Sequence, residues 1–306
     1  MLTASLRIFI ACILRYWPLT PVLFGACSGS WVDGELTVTD LRLREPGTVP
    51  FPRRKADAIT GRHFLETTAN LSKPEREEAI FNEIMQGNVP NFMRVLVPIR
   101  IKLKGSGGRR RLATVWVTPN YLAIGSDQDH VFIPLNFYTA TRIARTTGFL
   151  LPTPKLVREI YRQAQFHMTP APIPASPLME TNAYFLRHNE LVALQLEGLP
   201  RAALIAGHKK DVVISNILNR QSGRLAIYGW HRDIKHPIQP LSIAHWAGYA
   251  DYSHGIRFVN AVMRLDDRLV SLYDVLNDPV FCSLASDEGV LANLGFMMAG
   301  YDSSIN

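Results

Sequence analysis

Between Phe92 and Leu103 the apolar residues Val95, Val97, Ile99, Ile101 and Leu103 recur at every second position. A period of two is incompatible with a helix and requires a strand with one buried face. Gly105-Ser106-Gly107-Gly108 follows as a flexible turn, and Leu112 to Val117 repeats the strand signal. The pair predicts an antiparallel hairpin. Shorter strand signals sit at Tyr121–Gly125 and His130–Pro134, around the turn Ser126-Asp127-Gln128-Asp129. Asp127 and Asp129 read as turn residues, because the longer calcium-loop pattern ending in Glu is absent.

Helical signals lie elsewhere. Ser72-Lys73-Pro74-Glu75 combines an N-cap serine, a proline in the first turn and an acid at the third following position. It predicts a helix to about Met85, ended by Gly87-Asn88. Further helices are predicted over 139–145, 155–165 and 266–276. After the proline-rich stretch 169–177, the runs 184–187, 191–196, 202–208, 211–214 and 224–231 read as strands or short elements, punctuated by Gly198, Gly207, Gly223 and Gly229. Strands clustered together rather than alternating with helices predict an α+β fold, mixed, with a mainly antiparallel sheet and peripheral helices.

The first 30 residues differ in kind. Ile8–Leu14 and Pro18–Ala26 are apolar, Arg7 precedes them, and Gly25-Ala26-Cys27-Ser28 supplies small residues at a cleavage point. This is the layout of an export signal. Phe24-Gly25-Ala26-Cys27 is similar to a lipobox, which would lipidate Cys27 and tie the chain to a membrane surface. The predicted organisation is a signal or lipoprotein leader over 1–26, an irregular tether over 27–71, and a globular domain over 72–306 whose best interior boundary is 169–178. Of three cysteines only Cys282 then lies in the globular part. It sits in an apolar run and reads as a buried thiol. The net charge of +7 comes from scattered residues without a helix-turn-helix, RNP or zinc-finger pattern, so nucleic acid is set aside as a partner.

Chemistry concentrates between Gly207 and Arg257. Of nine histidines, His208, His231, His236, His245 and His254 fall in this window. His208 and His231 close apolar strand-like runs, from which loops would project them over a sheet edge. Imidazole exchanges protons near neutral pH, and a neighbouring carboxylate sets its tautomer. The candidate catalytic residues are therefore His208, Asp211, His231, Asp251 and His254. The candidate substrate-binding residues are Lys209 and Arg257 as anion holders, His245, and the aromatic platforms Tyr228, Trp230 and Tyr252, with Trp246 beside them. No cofactor is required by this set. The alternative is zinc on His208, Asp211, His245 and His254, although no HExxH or CxxC spacing accompanies it.

Ser253-His254-Gly255-Ile256-Arg257, downstream of Ile227-Tyr228-Gly229, resembles the signature of L,D-transpeptidases, which reads Ser-His-Gly-Cys-x-Arg. That resemblance implies an exported protein acting at peptidoglycan. Ile256 stands where the family has its cysteine nucleophile, and Arg257 comes one position early, so a thioester mechanism is not carried over. Ala206–Val213 and Tyr249–Val259 are also similar to segments of exported bacterial proteins of unassigned activity. The expectation is a periplasmic or lipid-anchored envelope hydrolase working on peptidoglycan or another wall polysaccharide by His/Asp acid–base chemistry. The alternatives are a non-catalytic envelope-binding protein on a degenerate enzyme fold and a zinc-dependent hydrolase.

Overall fold

The computed structural model describes residues 51–104 and 110–301, together with the backbone of two short paired strands, β1 (Trp31–Val32) and β2 (Glu35–Leu36). The export leader, Cys27 and the turn Gly105–Gly108 lie outside the described residues.

Two helices come first, α1 (Gly61–Thr67) and α2 (Lys73–Met85). In α2 the expected capping box forms: Ser72 Oγ accepts from Glu75 N, and the Glu75 carboxylate accepts from Ser72 N at 2.9 Å. The tether expected to run to residue 71 ends earlier. In α1 the side chains Phe64 and Leu65 are buried in the core, because a seven-residue helix can still bury an adjacent apolar pair.

The two predicted strands pair along their full length. β3 (Val97–Lys104) pairs with β4 (Arg110–Val117) antiparallel, from Val97↔Val117 to Lys104↔Arg110. Ile99, Ile101, Ala113 and Val115 are buried, while Arg100 and Lys102 are exposed. Next come the small hairpin of β5 (Ala123–Gly125) and β6 (His130–Phe132), then α3 (Phe137–Thr146), β7 (Phe149–Leu150), α4 (Pro154–Gln163) and β8 (Phe166–His167). α4 lies along the free rim of β3, where the Gln163 side chain bonds both Arg100 N (2.8 Å) and Arg100 O (3.1 Å).

The stretch expected as strands at 184–187 and 191–196 is one helix, α5 (Asn182–Leu196). Its buried residues Phe185, His188 and Val192 follow helical spacing, while Leu191 and Leu194 face outward, which blurs the apolar stripe in short windows. The remaining elements are β9 (Ile205–Ala206), β10 (Lys210–Val213), β11 (Ala226–Asp233), β12 (His236–Ser242), β13 (His254–Gly255), β14 (Val259–Leu265), β15 (Arg268–Ser271), α6 (Leu272–Asn277) and α7 (Leu294–Met298). The helix expected over 266–276 is instead a turn, a strand and a short helix. Asp266 adopts a left-handed conformation (φ 52°), and its carboxylate holds Leu112 N and the Arg111 guanidinium.

Two sheets organise the chain. One has the order β15-β14-β4-β3, with β7 also pairing β14; the other has the order β12-β11-β10-β13. The pairings are antiparallel except β10 with β13 and β8 with β9. The fold is α+β, with helices around mainly antiparallel sheets. The segment 169–176 is a loop that leads into a short 3-10 helix (Pro177–Glu180), and the hydrophobic core continues across it from Ile160 to Phe185 and Val212. Tyr252 pins that loop, its hydroxyl accepting from Ile173 N and donating to Ile173 O, both at 2.8 Å. Among the described residues no helix is long and apolar enough to cross a membrane.

Arg257 stands where β13 leads into β14 and joins the two sheets. Its side chain is 0% exposed. Nη1 donates to Thr118 O (2.8 Å) just beyond β4, and Nη2 donates to Ile205 O (2.6 Å) in β9. Replacing one member of a fully buried charged network leaves its partners unsatisfied, at a cost of about 3–5 kcal/mol. Arg257→Met is expected to lower the unfolding free energy by that order in denaturant titrations, and Arg257→Lys, which lacks the fork, to recover only part of it.

Candidate functional site

β10 is the central strand of the site. Lys210 pairs with Gly229 of β11 on one side and with His254 of β13 on the other; Asp211 pairs with Tyr228 and Gly255 in the same way. The three predicted segments, 208–211, 228–231 and 251–257, are therefore brought together on adjacent strands. His208 and Lys209 sit in the bend between β9 and β10 and Asp251 lies just before β13, but the set is enclosed in the protein rather than projected over a sheet edge. His208, Asp211, His231, Asp251 and His254 are all buried. Of the two histidines that close apolar runs, only His231 continues within a strand, β11, where Tyr161 of α4 covers its ring.

Glycines make this packing possible. A Cβ on Gly255 would lie 2.6 Å from both Lys209 Cβ and the Tyr121 ring, so only glycine lets β13 lie against β10. Gly229 (φ 109°) and Trp230 (φ 54°) are successive left-handed residues in β11. A Cβ on Gly229 would meet Asp211 Oδ2 at 3.2 Å and His231 Nδ1 at 3.4 Å, so the carboxylate and the imidazole share the space beside it. A bulky residue held at positive φ costs on the order of 1–2 kcal/mol, and here it sits beside the densest polar group of the molecule.

Two groups of polar side chains line β10. In the first, Tyr121 donates from its hydroxyl to Asp211 Oδ2 (2.9 Å), and the Tyr121 ring meets the His208 ring edge-on at 4.8 Å. Arg257 Nε lies 3.9 Å from Asp211 Oδ1. Burial pushes the Asp211 carboxyl up to about 7, against the opposing pull of Arg257 and the Tyr121 hydrogen bond. His231 stacks on Tyr161 at 4.6 Å.

In the second group, Asp251 Oδ1 accepts from Ser253 N (2.7 Å) and Ser253 Oγ (2.5 Å), and its Oδ2 accepts from Tyr249 Oη (3.1 Å). Burial works to raise the Asp251 carboxyl, but His254, Lys210 and the Ser253 bonds outweigh it and hold it at about 2. His254 meets Tyr249 edge-on at 5.6 Å, and Tyr249 stacks under the half-buried His245 at 4.2 Å. Lys209 bridges the groups: its Nζ donates to Tyr252 O (2.6 Å), and burial pulls it down to about 7.

Several proposed roles change. Tyr228, Trp230 and Tyr252 are buried and offer no surface platform, since their faces pack inside the core. Trp246, in contrast, is 55% exposed. Arg257 spends its forked nitrogens on backbone carbonyls, which makes it a structural cation rather than an anion holder. His236 stands apart on the β11–β12 turn, exposed and paired with Asp233. Asp127 and Asp129 act as turn residues, accepting from Asn91 N and Arg62 N, and Cys282 is buried. Among the described residues no three His, Cys, Asp or Glu side chains are grouped to hold a metal ion, so the set proposed for zinc is not assembled.

Three residues of the site escaped the sequence. Tyr121 gives no local signal, because only the fold brings it to Asp211. Tyr249 sits inside a quoted run without a distinguishing pattern. His188 was hidden by the strand assignment of α5. It is fully buried, 5.0 Å from the Tyr252 ring.

The unusual property of the whole is its unmet hydrogen-bonding capacity. Among the described residues both ring nitrogens of His208 and His254 are buried without a partner, as are His231 Nε2 and Trp230 Nε1. Such groups are rare and costly in a finished core. Burial keeps these imidazoles neutral: His254 and His231 fall to about 4, His188 to about 2, and His208 well below its ordinary value. His130 also falls to about 4. Their folded values lie below the unfolded value of 6.5, so their stability is complete above pH 6.5 and lost as pH falls toward 4. Asp211 and Glu77, both raised to about 7, act in the opposite sense: they lose stability as pH rises to 7. The histidines outnumber them, so the melting temperature is expected to drop between pH 6.5 and pH 4.5. His188→Leu should flatten that drop, and an unchanged melting temperature across the range would contradict the neutral, buried state.

Compared with known proteins, the chain matches no protein-family model, no curated protein and no solved structure.

Proposed function

We propose that the protein is a hydrolase working by acid–base chemistry from Asp251 and His254, exported from the cytoplasm and acting on peptidoglycan or another wall polysaccharide. The observation that carries the chemistry is the set of buried imidazoles without hydrogen-bond partners. A histidine kept only for packing is ordinarily satisfied by a backbone carbonyl. These are instead held neutral and unpaired, which is the state a proton acceptor needs at neutral pH.

Each residue then has a role. His254 accepts a proton from the attacking water and, as imidazolium, returns it to the leaving group as the scissile bond breaks. Asp251, kept ionised by its bonds to Ser253 and Tyr249, stabilises the imidazolium that results. Lys209, close to its ionisation at neutral pH, is the cation available to a developing oxyanion. His245 and Tyr249, both half-buried, form the side from which substrate approaches. The leader-like residues 1–30 support the exported setting, and the likeness of Ser253–Arg257 to the L,D-transpeptidase signature supports the wall polymer.

A second reading, a non-catalytic envelope-binding protein, is favoured by one observation. Ile256, standing where that family has its nucleophile, is itself fully buried.

Incubation with purified insoluble peptidoglycan, followed by chromatography of released fragments, separates the two. Native protein is expected to release product, and His254→Ala and Asp251→Asn to lose about 100-fold or more in rate. kcat/KM should rise with pH through about 4, as His254 loses its proton. His254→Ala releasing product at the native rate overturns the assignment. Co-sedimentation with the polymer and no product from native protein establishes the binding reading in its place.

A further inference from the structure

A cavity of about 790 Å³ opens between α5 and the β5–β6 hairpin, on the far side of the wall that encloses the His208 group. That volume is typical of a ligand site rather than of a packing defect. Its floor is aromatic: the His130 ring meets Phe92 edge-on at 5.1 Å and Phe132 edge-on at 5.2 Å. One wall is the apolar side of α5, with Leu186 and Ala193. The cavity is braced, since Asn189 of α5 accepts from Phe132 N and donates to His130 O, both at 3.1 Å.

The polar groups around it are of both signs. Arg62 is paired with Glu190 at 2.8 Å. Arg201 lines the same mouth with no carboxylate partner among the described residues, and Glu197 lines it with no cation partner. Asn120, almost fully buried, spends its amide oxygen on Tyr121 N (2.8 Å) and keeps its amide N–H groups for another acceptor. An apolar, aromatic floor, separate charges of opposite sign and an amide donor, all lining one cavity, match one ligand chemistry. That ligand has an apolar side chain, a backbone carbonyl, a free carboxylate and a free ammonium.

We propose that this cavity binds short zwitterionic peptides with apolar side chains, the carboxylate on Arg201, the ammonium on Glu197 or Asp129, and a peptide carbonyl on Asn120. The site is independent of the hydrolase assignment. It adjoins the buried cluster, since the Phe132 ring lies 5.5 Å from the His208 ring, and Ile205, another lining residue, accepts from Arg257.

Calorimetric titration of the full-length protein with the dipeptide Leu-Phe, its N-acetyl form and its C-terminal amide tests this. Leu-Phe is expected to bind, and each blocked form to bind about tenfold more weakly, as befits loss of one charged hydrogen bond. Arg201→Gln should weaken Leu-Phe by about the same factor and leave the amide unaffected. Ala193→Trp, which projects a large side chain from the α5 wall of the cavity, should weaken binding by obstructing it while leaving the melting temperature unchanged. Absence of binding by Leu-Phe at millimolar concentration overturns the proposal. So does binding that survives both Arg201→Gln and Ala193→Trp.

Discussion

A guanidinium removed from water must place its donors on acceptors with fixed geometry, and the placement of Arg257 sets the arrangement around it. Its two terminal nitrogens hold the carbonyls of Thr118 and Ile205, and its plane lies 4.4 Å from the Tyr121 ring. Thr118 follows the central hairpin, Ile205 belongs to the short parallel pair before β10, and Tyr121 reaches Asp211. One side chain thus fixes the relative position of both sheets and of the strand that carries the polar cluster.

Within that frame the cluster is set by steric allowances as much as by charge. Gly255 permits β13 to lie against Lys209, and Gly229 opens the space that Asp211 and His231 share. Neutral and charged groups then segregate. Asp251 accepts from Ser253 N, Ser253 Oγ and Tyr249 Oη and stays ionised; Asp211 has one phenol and a guanidinium nitrogen 3.9 Å away, and burial resists its ionisation. Two buried carboxylates thus acquire opposite characters from their surroundings, a division of labour that acid–base sites commonly use.

What the sequence revealed follows from the range of each signal. The β3–β4 hairpin and α2 were legible because alternation and capping are written in neighbouring residues: Ile99 and Ile101 facing inward, Ser72 and Glu75 bonded to each other. The convergence of 208–211, 228–231 and 251–257 was legible as an excess of histidine, but its burial was not. Burial of His254 depends on Tyr249 and on the pairing of β13 with β10, more than forty residues upstream. Tyr121 and His188 were illegible for the same reason. α5 itself was misread because Leu191 and Leu194 face outward and break the stripe that Phe185, His188 and Val192 draw. The aromatic residues Tyr228, Trp230 and Tyr252 have the composition of a platform but the positions of a core.

The bonds from Gln163 to Arg100 close the outer rim of the five-stranded sheet. An uncovered rim is a template onto which another chain can add a strand. Here the peptide groups of Arg100 are already taken by a side chain from α4, and the neighbouring outward positions carry Arg100 and Lys102. A chain with nearly half of its residues hydrophobic therefore has its longest hairpin guarded at the place where edge-to-edge growth would begin. The same helix that packs the core also works against aggregation.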